Sequence, residues 1–371
     1  MQWLKLGDFI EQCDERNVAN CDYPVIGINK DKEFMPTVAN TDEIDLKKYK
    51  IIRPGQFIFS GMQTGRDVCI RIGLYDGKPA LISPAYTTFV ITKPDVLLPE
   101  FVFMYFKRTE MDRYGWFISD SSVRSNLDWP RFLDIEIPLP SIDEQKQVVA
   151  AWRGLKNLGE QNEQMAGPLM DLCQSYLQDL KHKYSLVEIG PYIEQCDERN
   201  ADNKFSTNDV RGVSIQKEFI LTKANLDGVS LSQYKIVGPY EFAFNPNTAR
   251  MGEKICIALN NTPNHYLVSA IYPVFKIIDN KKLLPEYLQL FFKREDFNRY
   301  ARYHSWGSAR EMFNFDDMCR VKIPLPPIEI QRAIVEIYNC ARTAQYIADN
   351  AKQLSNEACP ALIRQVIGDN Q

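Results

Sequence analysis

The 371-residue chain lacks long apolar segments and paired metal-binding cysteines, and we expect no secretory leader. An apolar run such as residues 101–106 is far too short to cross a bilayer. No Cys-x-x-Cys pair occurs among the nine cysteines, and only three histidines are present, which argues against a structural zinc site. The N-terminus has no basic segment followed by an apolar one. We therefore expect a cytoplasmic protein whose cysteines stay reduced.

Sequence motifs of common enzyme classes are also missing. Residues 61–66 and 73–79 resemble phosphate-binding loops but lack the Gly-x4-Gly-Lys-Ser/Thr spacing. Residues 244–247 begin like an amino-methyltransferase motif but lack its second proline and its aromatic residue. Neither a His-Glu-x-x-His nor a Gly-x-Ser-x-Gly motif occurs. We therefore predict no catalytic residue, metal ion or cofactor in this chain.

The charge balance is slightly acidic, with 44 Lys and Arg against 48 Asp and Glu, which gives a formal net charge of −4. Proteins that bind nucleic acids usually present an excess of positive charge to the phosphates. The net charge therefore counts against nucleic-acid binding. Because it averages over every face of the protein, it does not exclude a single basic surface.

The second half of the chain repeats the first. Residues 11–17, with the sequence EQCDERN, recur unchanged as residues 194–200. Further matches, at offsets that drift up to 187, join residues 32–34 with 217–219, 49–54 with 234–239, 98–101 with 284–287, 106–108 with 292–294, 137–140 with 323–326, and Cys69 with Cys256. A period this long predicts two duplicated domains and not a solenoid of short repeats.

Each copy combines a mixed part of about 140 residues with a long helix. Short apolar runs bounded by Gly and Pro, such as residues 56–60 and 241–244, predict strands. Leu-Pro-Glu at residues 98–100 and 284–286 predicts helix starts, because proline suits the first turn and an acid favours the N-terminus. We predict mixed α/β domains over residues 1–140 and 184–326, and helices over residues 141–183 and 327–371.

The two helices carry a heptad pattern typical of coiled coils. Ser141 and Glu144 predict a capping box at the start of the first helix. The predicted seams are Val148, Ala151, Leu155, Leu158, Asn162, Met165, Leu169, Leu172 and Tyr176 in the first helix, and Ile330, Ile334, Ile337, Ala341, Ala344, Ala348, Ala351, Ser355, Ala358 and Leu362 in the second. Gly167-Pro168 and Pro360 are expected to kink or interrupt the helices. We expect the helices to pair, because the Ala-rich seam permits close approach; the alternative is that each packs on its own domain.

The junction before each helix gives the most specific signal. In residues 121–145 a loop with Ser and Arg, a strand into Ile-Pro-Leu-Pro and a Glu-Gln element follow one another. Residues 307–331 repeat this order, with Glu329-Ile330-Gln331 in place of adjacent Glu-Gln. The order resembles the end of a target recognition domain in the specificity (S) subunits of type I restriction–modification systems. The resemblance covers essentially the whole chain, because domain–helix–domain–helix is the layout of that family.

The resemblance implies a DNA-binding subunit without catalysis. Each target recognition domain would read one half of a bipartite sequence in double-stranded DNA through the major groove. The two helices, as an antiparallel coiled coil, would set the gap between the half-sites. Methyltransferase (M) subunits would dock on the helices, and restriction (R) subunits can join them. S-adenosylmethionine, ATP and Mg would belong to those partners.

Two other interpretations stay open at this stage. The slightly acidic charge also suits a protein-only interaction scaffold or a restriction-blocking DNA mimic in phage defence, although no dense carboxylate stripe is found. A specificity subunit of a type II system would carry the same sequence features.

Candidate DNA contacts combine arginine or lysine with hydroxyl or glycine neighbours, because a guanidinium can bind phosphates or read guanine bidentately. The candidates are Arg124 with Ser122, Arg310 with Ser308, Arg66, Arg250, and the matched pairs Lys107-Arg108 and Lys293-Arg294. A solvated loop arginine is an equally good interpretation of Arg124 and Arg310. The two Lys-Arg pairs are expected on an exposed helix face, with phosphate contact as the less favoured role.

The junctions also contain candidate partner-docking residues and a set of aromatic residues. By the resemblance, the partner-docking candidates at the helix starts are Glu144, Gln145 and Gln331. The aromatic residues just before the candidate loops are Tyr114, Trp116, Tyr303 and Trp306. For these four, core packing is favoured over base stacking.

Overall fold

The computed structural model describes residues 2–38, 40, 44–62, 64–120, 125–248, 254–307 and 311–368. The chain divides into two compact units, Met1–Asn162 with Tyr346–Gln371, and Glu163–Gln345. Each unit combines one mixed α/β domain with one half of each long helix. Within the described ranges, no helix is long and apolar enough to span a membrane.

The first domain is built from short strands and short helices. Its strands are β1 (Gln2–Lys5), β2 (Ile10–Cys13), β3 (Ile26–Ile28), β4 (Phe34–Pro36), β5 (Lys50–Ile52), β6 (Phe57–Ser60), β7 (Arg71–Leu74), β8 (Ala80–Ile82), β9 (Thr87–Ile91) and β10 (Glu136–Leu139). Its helices are α1 (Thr64–Asp67), α2 (Pro99–Phe106), α3 (Thr109–Ile118) and α4 (Trp129–Leu133). The long helix α5 (Ile142–Lys183) follows.

The second domain repeats these elements. Its strands are β11 (Leu186–Glu188), β12 (Ile193–Cys196), β13 (Arg211–Val213), β14 (Phe219–Leu221), β15 (Lys235–Val237), β16 (Phe242–Phe244), β17 (Ile257–Leu259), β18 (Tyr266–Val268), β19 (Val274–Ile277) and β20 (Lys322–Pro324). Its helices are α6 (Pro285–Phe292), α7 (Glu295–Tyr303) and α8 (Phe315–Cys319), and the long helix α9 (Ile328–Ile367) follows.

The two domains have the same strand topology. The main sheet of the first domain is antiparallel, in the order β2-β9-β6-β7, and the strands β1-β10, β3-β4 and β5-β8 form two-stranded ladders. The second domain has the order β12-β19-β16-β17, with ladders β11-β20, β13-β14 and β15-β18. The mixed α/β class and the predicted duplication are therefore confirmed.

A stacked pair of phenylalanines lies at the centre of each main sheet. Phe57 and Phe89 are cross-strand neighbours whose ring centroids are 4.7 Å apart at an interplanar angle of 4°. Phe242 and Phe275 repeat this pair at 4.9 Å and 5°. Such cross-strand pairs fix strand register and contribute to the apolar core, so the two cores are built alike.

The strand register corrects one sequence match. Phe57 pairs with Leu74 between β6 and β7, and Phe242 pairs with Leu259 between β16 and β17. The structural offset is therefore 185 at this point. Cys69 and Cys256, matched by sequence at an offset of 187, do not occupy equivalent positions.

The long helices pack against each other in both units. In the first unit, Trp152 of α5 is buried in the same apolar core as Cys359 and Ile363 of α9. Further along α5, a Cβ placed on Gly159 would lie 3.6 Å from the Cβ of Ala351. The N-terminal half of α5 thus faces the C-terminal half of α9.

In the second unit the opposite halves meet. Cys173 and Leu177 of α5 share an apolar core with Ile334 of α9, and Cys173 Sγ lies 3.9 Å from the Ile334 carbonyl oxygen. The helices therefore run antiparallel, and the predicted coiled coil is confirmed. The alternative, in which each helix packs only on its own domain, is wrong, because the C-terminal half of each helix lies in the unit of the other domain.

The seam of α9 is the predicted one, and the seam of α5 is confirmed at every other position from Val148 to Leu169. The buried α9 positions include Ile334, Ala341, Ala344, Ala348, Ala351 and Ser355. In α5 the predicted Val148 is buried, and Leu155, Asn162 and Leu169 are partly buried. The predicted Leu158, Met165 and Leu172 are wrong, since they remain 44–55% exposed. Their neighbours Gly159, Ala166 and Cys173 are buried instead, because the prediction followed the larger apolar side chains.

The prolines do not end the helices. Pro168 lies inside α5 and Pro360 inside α9, so the expected interruption is wrong. A proline removes the amide donor at its own position, while the turns around Pro168 stay packed through the buried Ala166 and Cys173.

Gly159→Ala is expected to stabilise the first unit by up to about 1 kcal/mol, because alanine suits a helix interior better than glycine. Its methyl group would lie at ordinary contact distance from Ala351. Gly159→Leu should instead destabilise by about 1–3 kcal/mol through overpacking. Urea unfolding measures both. Gly154→Ala is the control for helix propensity without packing, because nothing lies within 4 Å of the added methyl group. Stabilisation by Gly159→Leu would contradict the close helix contact.

A buried lysine joins the turn between β3 and β4 to the helices of its domain, with different partners in the two copies. Lys32 Nζ donates to Asp112 Oδ1 at 2.7 Å. Lys217 Nζ donates to Asn298 Oδ1 at 2.5 Å and to the Ile255 carbonyl oxygen at 2.9 Å. The second lysine has an amide where the first has a carboxylate. Burial lowers the pKa of Lys217 to about 8.

The free energy of unfolding of the second unit should therefore rise between pH 8 and pH 10.5. In this window the unfolded chain, with a lysine pKa near 10.5, binds the proton more tightly than the folded chain. Asn298→Asp should raise the pKa of Lys217, flatten this rise and stabilise the unit at pH 7 by up to about 3 kcal/mol. Urea unfolding across this pH range measures the effect. The reciprocal Asp112→Asn should create the same rise in the first unit, and unchanged pH profiles in both variants would contradict the assignment.

Candidate nucleic-acid interface

Two loops meet at one edge of the first domain. Leu127 N–H donates to the Gly61 carbonyl at 2.9 Å, and Gly65 N–H donates to the Ser125 carbonyl at 3.0 Å. These bonds join the segment around α1 to the segment that follows α3. We call the surface formed by residues 61–62, 64–67, 119–120 and 125–127 the loop face of the first domain.

Two glycines are required for this approach. A Cβ on Gly61 would overlap the Leu127 carbonyl group, and one on Gly65 would overlap the Ser125 side chain. Any larger residue would push the two segments apart. The spacing of Gly61 and Gly65, which resembles a phosphate loop in sequence, therefore serves backbone packing here.

The loop face of the first domain is cationic. Arg66, whose side chain is 65% exposed, lies 3.3 Å from Asp67, and Lys30 lies 3.7 Å from the same carboxylate. Arg71 is also paired with Asp67. Burial by itself would raise the pKa of Asp67, but the hydrogen bond from Arg66 and the charges of Arg71 and Lys30 lower it below its ordinary value. Three cations thus surround the ionised Asp67 at this face, which also contains the carboxylate of Asp120. Lys30 and Arg71 carried no sequence signal, since strand pairing brings them here.

Exposed aromatic side chains border this face. Trp116 is 57% exposed and Phe117 is 80% exposed, and a Cβ on Gly65 would lie 3.4 Å from Trp116 Cδ1. In the second domain Tyr303 is 75% exposed and Trp306 is 65% exposed. The expectation that Trp116, Tyr303 and Trp306 pack in the core is wrong; Tyr114 is also partly exposed, at 41%. Such patches on a protein surface mark interaction sites.

The corresponding segments of the second domain meet in the same way. Phe313 N–H donates to the Pro246 carbonyl at 2.8 Å, and Trp306 and Met312 exchange two backbone hydrogen bonds of 3.1 and 2.9 Å. Thr248 Oγ1 lies 2.8 Å from Ser305 Oγ. We call residues 246–248, 305–307 and 311–313 the loop face of the second domain.

Five of the candidate DNA contacts lie outside the described residues. They are Ser122, Arg124, Arg250, Ser308 and Arg310. The residues on either side of them belong to the two loop faces. Their contact with DNA stays a prediction, as does that of Arg66.

The two Lys-Arg pairs lie between each domain and the long helices. Lys107 Nζ donates to Asn356 of α9 at 3.0 Å, and Arg108 is 3% exposed and stacks over Tyr105. The exposed helix face expected for these pairs is therefore wrong for Arg108.

The second pair makes similar contacts. Lys293 Nζ donates to the Tyr338 hydroxyl of α9 at 2.5 Å, and Arg294 donates to Gln178 of α5 at 2.7 Å. These cations fasten the second domain to the helices of its own unit.

Gln145 and Gln331 are buried in equivalent positions at the helix starts. Gln145 Nε2 donates to the Val96 and Pro140 carbonyls at 2.9 and 3.0 Å, and its Oε1 accepts from Leu98 N–H at 2.9 Å. Gln331 makes the same three bonds, to Lys282, Pro326 and Leu284. Both side chains are 0% exposed. The docking role predicted for them is corrected, because a fully bonded interior amide offers no surface to a partner.

Glu144, the third docking candidate, caps its helix. Its carboxylate accepts from Ser141 N–H at 2.8 Å and from Ser141 Oγ at 2.6 Å, while its own N–H donates to Ser141 Oγ at 3.3 Å. The predicted capping box is confirmed. The hydrogen bonds from Ser141 lower the pKa of Glu144.

Metal ligands are not grouped in the part of the chain that the structure describes. No cluster of three or more His, Cys, Asp and Glu side chains that could hold a metal ion occurs there.

Comparison with known proteins gives a family match for part of the chain. Residues 241–339 match the family described as type I restriction modification DNA specificity domain. No curated protein matches the sequence.

Solved structures match over the whole length. The S subunit of a type I restriction-modification system from M. genitalium has a TM-score of 0.64 at 10% sequence identity, over 100% of this chain and 96% of that one. The HsdS subunit from Thermoanaerobacter tengcongensis has a TM-score of 0.40 at 14% identity, over 99% and 97% of the two chains. Residues 241–339 thus match the type I restriction modification DNA specificity domain family, and the chain has the fold of a type I S subunit.

Proposed function

We propose that the chain is a non-catalytic DNA specificity subunit whose two domains each read one half of a bipartite target. The observation that carries the proposal is the loop face. In each domain, segments far apart in sequence converge there, and they include described residues that adjoin the candidate arginines and hydroxyl residues in sequence. The specificity-domain match and the S-subunit fold support the same function.

The chemistry of the first loop face suits duplex DNA. Arg66, Lys30 and Arg71 outnumber the single carboxylate of Asp67. Cations bind phosphates and position a protein on the duplex, while a guanidinium can also read a guanine edge in the major groove. The sequences that begin at the two loop faces differ, with MQTGRD at residues 62–67 and TARMGE at residues 248–253. Loops of different sequence on two domains of the same topology would read different half-sites.

The paired helices would set the gap between the half-sites. The buried residues of α5 keep a seven-residue period from Gln145 to Leu180, which is the spacing of a coiled-coil helix. The number of helical residues would therefore define the number of base pairs between the halves.

A DNA mimic is disfavoured by the charge of the loop face. A mimic should present a dense stripe of carboxylates in place of phosphates. The described residues of the first loop face instead collect cations around Asp67.

Arg66→Ala is expected to weaken binding to one half-site only. Loss of a base contact should cost about 1–3 kcal/mol and relax the preference at one position, whereas loss of a phosphate contact should lower the salt slope by about one. The target is first selected from random duplexes, and affinities are then measured by fluorescence anisotropy at several salt concentrations. Lys146→Ala, an exposed cation on α5, is the control. Equal weakening at both half-sites would contradict the assignment, and failure to select any split sequence would contradict the proposed function.

We also infer that a methyltransferase subunit docks on an apolar stripe of α5. Met165, Leu172 and Tyr176 are 55%, 44% and 45% exposed and lie seven and four residues apart, on one face of the helix. The displaced seam explains the stripe, because the small residues face α9 and the large ones face outward. The cofactors S-adenosylmethionine, ATP and Mg are assigned to the partner subunits in this proposal.

Leu172→Glu is expected to weaken binding of a methyltransferase subunit at least about tenfold, since a charge would be buried in an apolar contact. Copurification and sedimentation with a methyltransferase that binds the wild-type chain measure the loss. Gln174→Glu introduces the same charge on an exposed position of another face of α5 and should leave binding unchanged. Equal effects of both substitutions would contradict docking on the stripe.

A further inference from the structure

The helices α3 and α7 end with equivalent exposed pairs, each an arginine and an aromatic residue. Arg113 and Phe117 lie four positions apart on α3, and Arg299 and Tyr303 lie four positions apart on α7. Residues four apart share one face of a helix. Both pairs are related by an offset of 186, as are the residues around them.

The backbone around the two pairs is also the same. Ser119 Oγ donates to the Gly115 carbonyl at 2.7 Å, and Ser305 Oγ donates to the Ala301 carbonyl at 2.7 Å. Each serine follows the aromatic residue by two positions. The aromatic side chain therefore leaves its helix at an equivalent point in both domains.

Neither pair is needed for packing. Phe117 is 80% exposed and Tyr303 is 75% exposed, and neither belongs to an apolar core. Arg113 and Arg299 are exposed as well. Among the residues that the structure describes, neither guanidinium has an ion-pair partner. The ring contacts of Phe117 with Tyr114, at 6.5 Å, and of Tyr303 with His304, at 5.0 Å, lie outside these cores.

The pair persists although the residues before it have changed. Residues 109–112 read TEMD, and residues 295–298 read EDFN, so that no position is shared. A residue that reads a particular base should differ between domains with different half-sites. A pair that stays the same should contact something that both half-sites possess, namely a phosphate and the flat face of a base.

Each pair adjoins the loop face of its domain. In the first domain, Trp116 connects Phe117 to the loop face with its cations Lys30 and Arg66. In the second, Ser305 lies two residues after Tyr303 and is bonded to Thr248 of the loop face. Positive charge beside an exposed ring complements a polyanion with stackable bases better than an apolar protein surface.

We propose that Arg113 with Phe117, and Arg299 with Tyr303, are duplicated, sequence-independent DNA anchors. In each half-site the guanidinium binds a backbone phosphate, and the ring stacks on a base that it displaces from its neighbour. Every base has a π face, so stacking tolerates any sequence, and apolar side chains inserted at a base step unstack it. The proposal rests on the proposed function and adds residues that grip DNA without reading it.

The test uses the full chain and duplexes selected by the wild-type protein. Phe117→Ala should weaken binding about 10-fold to 100-fold, and Phe117→Trp should restore it, because the larger ring also stacks. Arg113→Ala should lower the slope of log affinity against log salt by about one. Tyr346→Ala, which removes a 67% exposed ring from α9, is the matched control and should bind normally.

The position of the unstacked base shows which of the two anchors acts in each half-site. With 2-aminopurine placed at successive positions, the wild-type chain should raise fluorescence at one base in each half-site. Phe117→Ala should abolish the rise in one half-site and Tyr303→Ala in the other, while Tyr303→Phe keeps it. Unchanged affinity and fluorescence in the alanine variants would overturn the proposal. So would loss of methyltransferase binding with normal DNA binding. Failure of the wild-type chain to select a split target would instead count against the proposed function.

Discussion

The contact between small residues of the two long helices is the constraint on which the rest of the structure depends. In the first unit, Gly159 of α5 with Ala348 and Ala351 of α9 leaves no large side chain between the backbones. Close approach has two consequences in the same helix. It packs the two backbones closely within the unit, and it leaves the neighbouring Leu158 of α5 exposed. One choice of residues thus gives both a close helix contact and an exposed apolar side chain.

Much of the fold could be predicted because the signals are local and occur twice. The repeated EQCDERN segment gave the duplication, the Leu-Pro-Glu segments gave α2 and α6, and Ser141 with Glu144 gave a capping box. The pairing of the two helices followed from the heptads, and its antiparallel direction was implied by the family resemblance. In each case the prediction needs only residues that are neighbours in sequence, or the same signal occurs in both copies.

The errors share a different physical cause, since each depended on contacts between distant residues. The α5 seam was displaced because a glycine carries no hydrophobic signal, although it can mark close helix packing as strongly as leucine marks a core. Gln145 resembled a surface residue until Val96 and Leu98 supplied its hydrogen-bond partners. Trp116 was taken for a core residue by size alone. Arg66 could be found as a loop cation, but its neighbours Lys30 and Arg71 could not, because only strand pairing brings them together.

The crossing of the helices has a consequence for synthesis on the ribosome. The first domain is complete by residue 162, yet its core includes Cys359 and Ile363. At ~5–20 residues per second, those side chains emerge roughly ten to forty seconds later. During this interval the core around Trp152 lacks the apolar side chains of Cys359 and Ile363. The final folding step of the earliest-made domain is therefore timed by translation of the last helix.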